Sequence, residues 1–156
     1  MRGSMFFYVL AGFVAAVVVL MVWVRVAPTD VAFWHDPKLP VMGPGDYPAA
    51  GAHVAQRPLV GDGRAELAAL DQIIRATPRT RVLAGSVADE KITYVTQTRW
   101  MGFPDYTTVT LAQLLTTEMS TVQIYSRLRF GKADLGVNRA RIENWLSQWQ
   151  AVRDAQ

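Results

Sequence analysis

The residues best placed to do chemistry lie close together near the C-terminal end: Asp134, Asn138, Arg139 and Arg141, with Arg127 a few positions upstream. They sit in or beside the run Gly131-Lys132-Ala133-Asp134-Leu135-Gly136-Val137-Asn138, which leads into a predicted helix. A helix N-terminus offers unpaired amides, and guanidinium groups add two-pronged donors, so this set suits a phosphate or carboxylate ligand. Gly131 and Gly136 permit the backbone angles such a turn requires. The alternative is that Asp134 and Asn138 cap turns while Arg127 and Arg139 pair with Asp134 or Asp105. Between positions 127 and 141, Asp134 is the single acid facing Arg127, Arg129, Lys132, Arg139 and Arg141. That balance fits contact with anionic lipid headgroups or an acidic partner, or else a solvated face with local pairs.

Other constellations say less. His35 and His53 are the only histidines. Asp36 and Asp46 are near in sequence, but nothing has metal-ligand spacing, so both histidines read as surface residues and no metal site is predicted. The absence of cysteine removes thiolate catalysis, iron–sulfur clusters, cysteine-based zinc sites and disulfides. There is no Gly-x-Ser-x-Gly elbow and no well-placed histidine to activate a serine, while Asp89-Glu90 falls in a predicted turn. The sequence therefore reads as non-enzymatic, with no cofactor.

What must carry these residues is clearer. Met5 to Val24 is an uncharged run of twenty residues rich in Val, Leu and Phe, long enough as a helix to cross the roughly 30 Å core of a bilayer. Its Leu, Val and Phe residues together favour insertion by roughly 4 to 7 kcal/mol. Tyr8 and Trp23 lie near its two ends, where amphipathic rings prefer the headgroup region. The rival is a cleaved signal peptide, but the apolar stretch is long for one. Trp23-Val24-Arg25-Val26 also puts bulky residues where cleavage needs small ones. Retention is the favoured reading, with membrane lipid as the partner of residues 5–26. A very short N-terminal tail suggests that the body is exported, which in a bacterial inner membrane means a periplasmic domain. Gly12 and Ala16 are four apart, as are Ala11 and Ala15, a small-residue spacing that lets helices approach closely. If it is used, the chain dimerises or meets another membrane protein. With 16 Lys and Arg against 13 Asp and Glu, no nucleic-acid partner is predicted.

The organisation expected is a tail at 1–4, a transmembrane helix at 5–26, a Pro/Gly-rich linker or arm at 27–61 and one soluble domain at 62–156. Seven of the eight prolines fall between Pro28 and Pro78, which marks the arm. Leu67, Leu70 and Ile74 set an apolar stripe on a helix that ends before Pro78. Strands are predicted at Arg81–Ala84, Lys91–Trp100, Tyr106–Leu111 and Thr121–Phe130. In the last, Val122, Ile124, Leu128 and Phe130 share one face and Gln123, Tyr125, Arg127 and Arg129 the other. A final helix carries Ile142, Trp145, Leu146, Trp149 and Val152 on one stripe, with Asn138 as its N-cap. The fold class is α+β: a small antiparallel sheet of about four strands with two flanking helices on one face, behind an N-terminal transmembrane helix.

The segment Gln123 to Glu143 also resembles the C-terminal signature of the family called domain of unknown function 1499. That signature runs as a Ser-Arg strand, a Gly, then Ser-Asp-x-Gly-x-Asn-Arg-x-Arg entering the last helix. It maps onto Ser126, Arg127, Gly131, Asp134, Gly136, Asn138, Arg139 and Arg141. Pro78-Arg79-Thr80 and the stretch from Thr98-Arg99 to Phe103-x-Asp105 fit as well. The likeness covers roughly residues 60–152. Ala133 stands where the family usually has Ser, Tyr106 stands where a second Asp often follows Asp105, and the family's N-terminal Cys-containing segment is missing. The resemblance implies a membrane-associated or exported protein, often bacterial, with no established activity. The expectation is a membrane-anchored interaction or ligand-binding domain, or an accessory subunit of a larger inner-membrane complex.

Overall fold

The computed structural model describes residues 2–114 and 119–155, so Met1 of the expected tail lies outside the described residues. Helix α1 (Arg2–Val26) contains the apolar run and, from Ser4 onward, exposes its sides until the last turn. There it meets the rest of the chain. Val24 is 2% exposed, the Trp23 ring lies 5.6 Å from that of Phe130, and Arg25 donates to the Trp100 carbonyl at 3.2 Å.

Among the described residues six strands form one sheet: β1 (Gly45–Ala49), β2 (Ala52–Pro58), β3 (Thr80–Ser86), β4 (Lys91–Gln97), β5 (Pro104–Gln113) and β6 (Ser120–Leu128). Their spatial order is β1-β2-β6-β5-β4-β3, and every neighbouring pair is antiparallel. The sequence pattern predicts about four strands. The further two, β1 and β2, come from the stretch that reads as a Pro/Gly-rich arm. Pro48 is tolerated because β1 is an edge strand, and Gly51 supplies the φ of +66° that closes the hairpin between them. β4 is shorter than its apolar pattern suggests: Trp100 leaves the predicted strand face for a turn and is 76% exposed.

Helices α3 (Gly63–Arg75) and α4 (Val137–Asp154) cover one face of the sheet. The Asp62 side chain accepts from the Arg64 amide to start α3. Leu67, Leu70 and Ile74 from α3 and Ile142, Trp145 and Trp149 from α4 close over Ile92, Val109, Val122 and Ile124. Full burial of side chains of this size stabilises by about 1.5–3 kcal/mol each. The indoles satisfy their polar ends: Trp145 Nε1 donates to Thr77 Oγ1 at 2.7 Å and Trp149 Nε1 to the Glu66 carbonyl at 3.2 Å. Val152, expected on this stripe, is 38% exposed because α4 runs past the core there.

The opposite face is not left to solvent. Residues 27–41 cross it, with the short helix α2 (Val31–His35) capped by Asp30, whose carboxylate accepts from the Phe33 amide. Trp34 stacks on Tyr106, His35 Nδ1 lies 2.9 Å from Thr93 Oγ1, and Gln123 donates to the Pro40 carbonyl. The face alternation expected for β6 holds up to Leu128, but the side carrying Gln123, Tyr125 and Arg127 is roofed by the arm.

Candidate functional site

The C-terminal end of β6, the start of β5 and the N-terminus of α4 converge on a buried polar network. Cross-strand register sets Thr107 of β5 opposite Ser126 of β6, and Ser126 opposite His53 of β2. All three are at least 98% buried on the helix side of the sheet. Ser126 Oγ donates to Asn138 Oδ1 at 2.7 Å, and Thr107 Oγ1 lies 2.8 Å from the same hydroxyl. Arg141 donates through Nη1 to Asn138 Oδ1 and through Nη2 to Asp105 Oδ2, both at 2.9 Å. Because arginine only donates, the Asn138 atom facing it must be its oxygen. The Nδ2 of Asn138 is then buried without a partner among the described residues, as is Nδ1 of His53.

Asp134 organises the helix entry. Its carboxylate accepts from the Gly136 amide at 3.1 Å and the Asn138 amide at 2.9 Å. Burial alone pushes this carboxyl up, but the amide donors of Asn138 and Gly136 outweigh it and hold it below the usual carboxylate range. The N-cap position itself is Gly136, at φ +80°. Asn138 is therefore not the cap that the sequence predicts: it lies inside the first turn, turned down onto Ser126. Asp105 shows the opposite balance. Burial pushes its carboxyl above the ordinary value, and Arg141 recovers only part of that cost.

Of the residues singled out in the sequence, Asp134, Asn138 and Arg141 come together with Asp105. The other two do not join them. Arg139 points outward and pairs with Glu143 at 2.7 Å. Arg127 faces the opposite side of the sheet, where its guanidinium lies 4.9 Å from the Trp34 ring and 4.7 Å from the Tyr125 ring. It donates to the Trp34 carbonyl. Burial pulls the Arg127 guanidinium below its ordinary pKa. Among the described residues no carboxylate pairs with it, and the open groove of about 340 Å³ beside it is lined by Tyr125, Arg129 and Gly131.

The two histidines are separated by the sheet. His53 is not a surface residue: its Nε2 lies 3.1 Å from Asp46 Oδ1, and Arg57 holds the other oxygen of that carboxylate at 2.7 Å. His35 belongs to the arm side. Sequence reading missed Thr107 as the partner of Ser126, and the burial of His53 against Asp46 beside that network. Their only sequence signal is strand alternation, and it becomes useful once the β1–β2 hairpin and its register to β6 are known. Gly12 and Ala16 lie on exposed flanks of α1, and a Cβ on Gly12 would meet nothing within 4 Å.

Chemically, the buried network braces the last helix against the sheet. The Ser126 hydroxyl is spent on Asn138, and the Asp105 carboxylate is spent on Arg141. A family model described as "Protein of unknown function (DUF1499)" matches residues 44–149. No curated protein matches the chain.

Proposed function

The chain belongs to the DUF1499 family, and from that premise we propose a single-pass membrane protein whose sheet domain binds a ligand or partner without catalysing a reaction. The observation that carries this reading is how the last turn of α1 is built into the domain. Val24 is 2% exposed and Ala27 8%, Trp23 packs on Phe130, and Arg25 holds the turn at Trp100. A removable leader has no reason to complete the domain's apolar packing, whereas an anchor does. The uncharged run of α1, with Tyr8 and Trp23 near its ends, supports a membrane span. The commitment of Ser126 to Asn138 and of Asp105 to Arg141 supports a brace in place of a reacting centre.

A second reading is an accessory subunit of a larger inner-membrane complex. It is favoured by the bare small-residue flank at Gly12 and Ala16. Extraction of the tagged full chain in mild detergent, followed by native sizing and identification of companions, separates the two. A monomer or dimer supports the self-contained binding domain. A large particle with defined companions that Gly12→Leu disperses supports the subunit. A detergent-independent soluble chain sinks both.

A further inference from the structure

Two apolar side chains project from the end of the sheet where α1 docks. Trp100 is 76% exposed at the tip of the turn between β4 and β5, and Leu135 is 96% exposed in the loop before α4. Both segments leave the same sheet end: the Arg129 amide donates to the Pro104 carbonyl, and the Phe103 and Phe130 rings lie 6.2 Å apart. Leu135 holds its exposed position at φ +53°, a conformation that costs a leucine energy.

The height of this surface follows from α1. Twenty residues from Met5 to Val24 span about 30 Å as a helix, the thickness of the hydrocarbon core. Arg25 therefore emerges at the headgroup boundary, and its guanidinium is 3.2 Å from the Trp100 carbonyl. The contact is close, since a Cβ on Gly102 would come within 2.6 Å of that guanidinium. Arg99 lies over the Trp100 ring at 5.1 Å, and among the described residues neither Arg99 nor the exposed Lys132 has a carboxylate partner. A tryptophan with an arginine on its face, next to unpaired cations, matches the headgroup layer in both polarity and charge.

We infer that this end of the sheet is a lipid-contacting surface, with Trp100 and Leu135 seated among the headgroups and Arg99 and Lys132 facing their phosphates. The inference rests on α1 remaining as a span, and adds that the domain lies down on the bilayer at one fixed end. It does not swing on a linker.

The absence of cysteine makes the test clean. Trp100→Cys, Leu135→Cys and Asp89→Cys, the last in the β3–β4 turn at the far end of the sheet, are labelled with an environment-sensitive fluorophore in the full chain. Each is placed in vesicles of zwitterionic and anionic phospholipid doped with a headgroup spin label. Quenching several-fold stronger at 100 and 135 than at 89 is the expected result. Equal quenching at 100 and 89 in protein that floats with the vesicles overturns the surface and leaves the anchor standing. Protein that does not float with the vesicles overturns both.

Discussion

Trp34 lies flat on Tyr106, with ring centroids 4.0 Å apart and planes 15° from parallel. Together with the His35–Thr93 and Gln123–Pro40 contacts, this stack makes residues 27–41 a layer of the domain and not a connector. The Arg127 guanidinium lies over the indole and donates to the Trp34 carbonyl, which also accepts from Thr108 Oγ1. The arm is thus held by stacking, by a cation over a ring and by backbone acceptors at once.

Replacing Trp34 by Ala should destabilise the full chain by about 2–3 kcal/mol, below the value for a fully buried tryptophan because Trp34 is only half-buried. Limited proteolysis in detergent should show new cleavage between residues 27 and 44. Unchanged protection would mean the arm is held by something other than this stack.

The Asp105–Arg141 pair is a buried brace, with side chains 7% and 11% exposed. Arg141→Met strands a carboxylate and should cost about 3–5 kcal/mol at neutral pH. The sign with pH is fixed by the raised pKa of Asp105. A carboxyl whose folded value lies above its unfolded one binds a proton more readily when folded, so its contribution is best at low pH and worsens as pH rises through the raised value. Losing Arg141 widens that gap, so the deficit should shrink on acidification, and Asp105→Asn in the same background should recover part of it. A deficit independent of pH would contradict the assignment.

Asp134 behaves in the reverse sense. Its lowered pKa means stability that is present above the ordinary aspartate value and lost as pH falls through the folded one. Asp134→Ala should cost about 0.5–2 kcal/mol at neutral pH, the usual range for a lost helix cap. The variant and the parent should converge as pH drops below about 3.9. Denaturant melts at two pH values decide this.

Gly102 sits at φ +74° against the Arg25 guanidinium. Gly102→Ala should cost about 1–2 kcal/mol from the backbone alone, and should also push Arg25 off the Trp100 carbonyl. Trypsin should then cleave after Arg25 several-fold faster in detergent, while the far end of the sheet stays protected.

Much of the helix side was legible in the sequence because its periodicity is strong: Leu67, Leu70, Ile74 and Trp145 announce their face. The hairpin Gly45–Pro58 was not, since its prolines and glycines are turn and edge devices that look like linker composition until a partner strand is supplied. Trp100 continues the apolar pattern of β4 but follows the turn started at Thr98, whose hydroxyl accepts from the Phe103 amide. In the candidate site, Asp134, Asn138 and Arg141 are near in sequence and lie together with Asp105 in the structure, while Arg139 turns outward to Glu143. Arg127 is near them in sequence, but strand parity carries it to the opposite face of the sheet.

On the proposed function, α1 stays on the chain and holds the domain at a membrane. The most direct test is alkaline carbonate extraction of membranes carrying the C-terminally tagged protein, with the mass of the tagged chain read from the pellet. Full-length chain, with residues 1–26 retained, is expected in the pellet. A soluble chain beginning near Ala27 would contradict it.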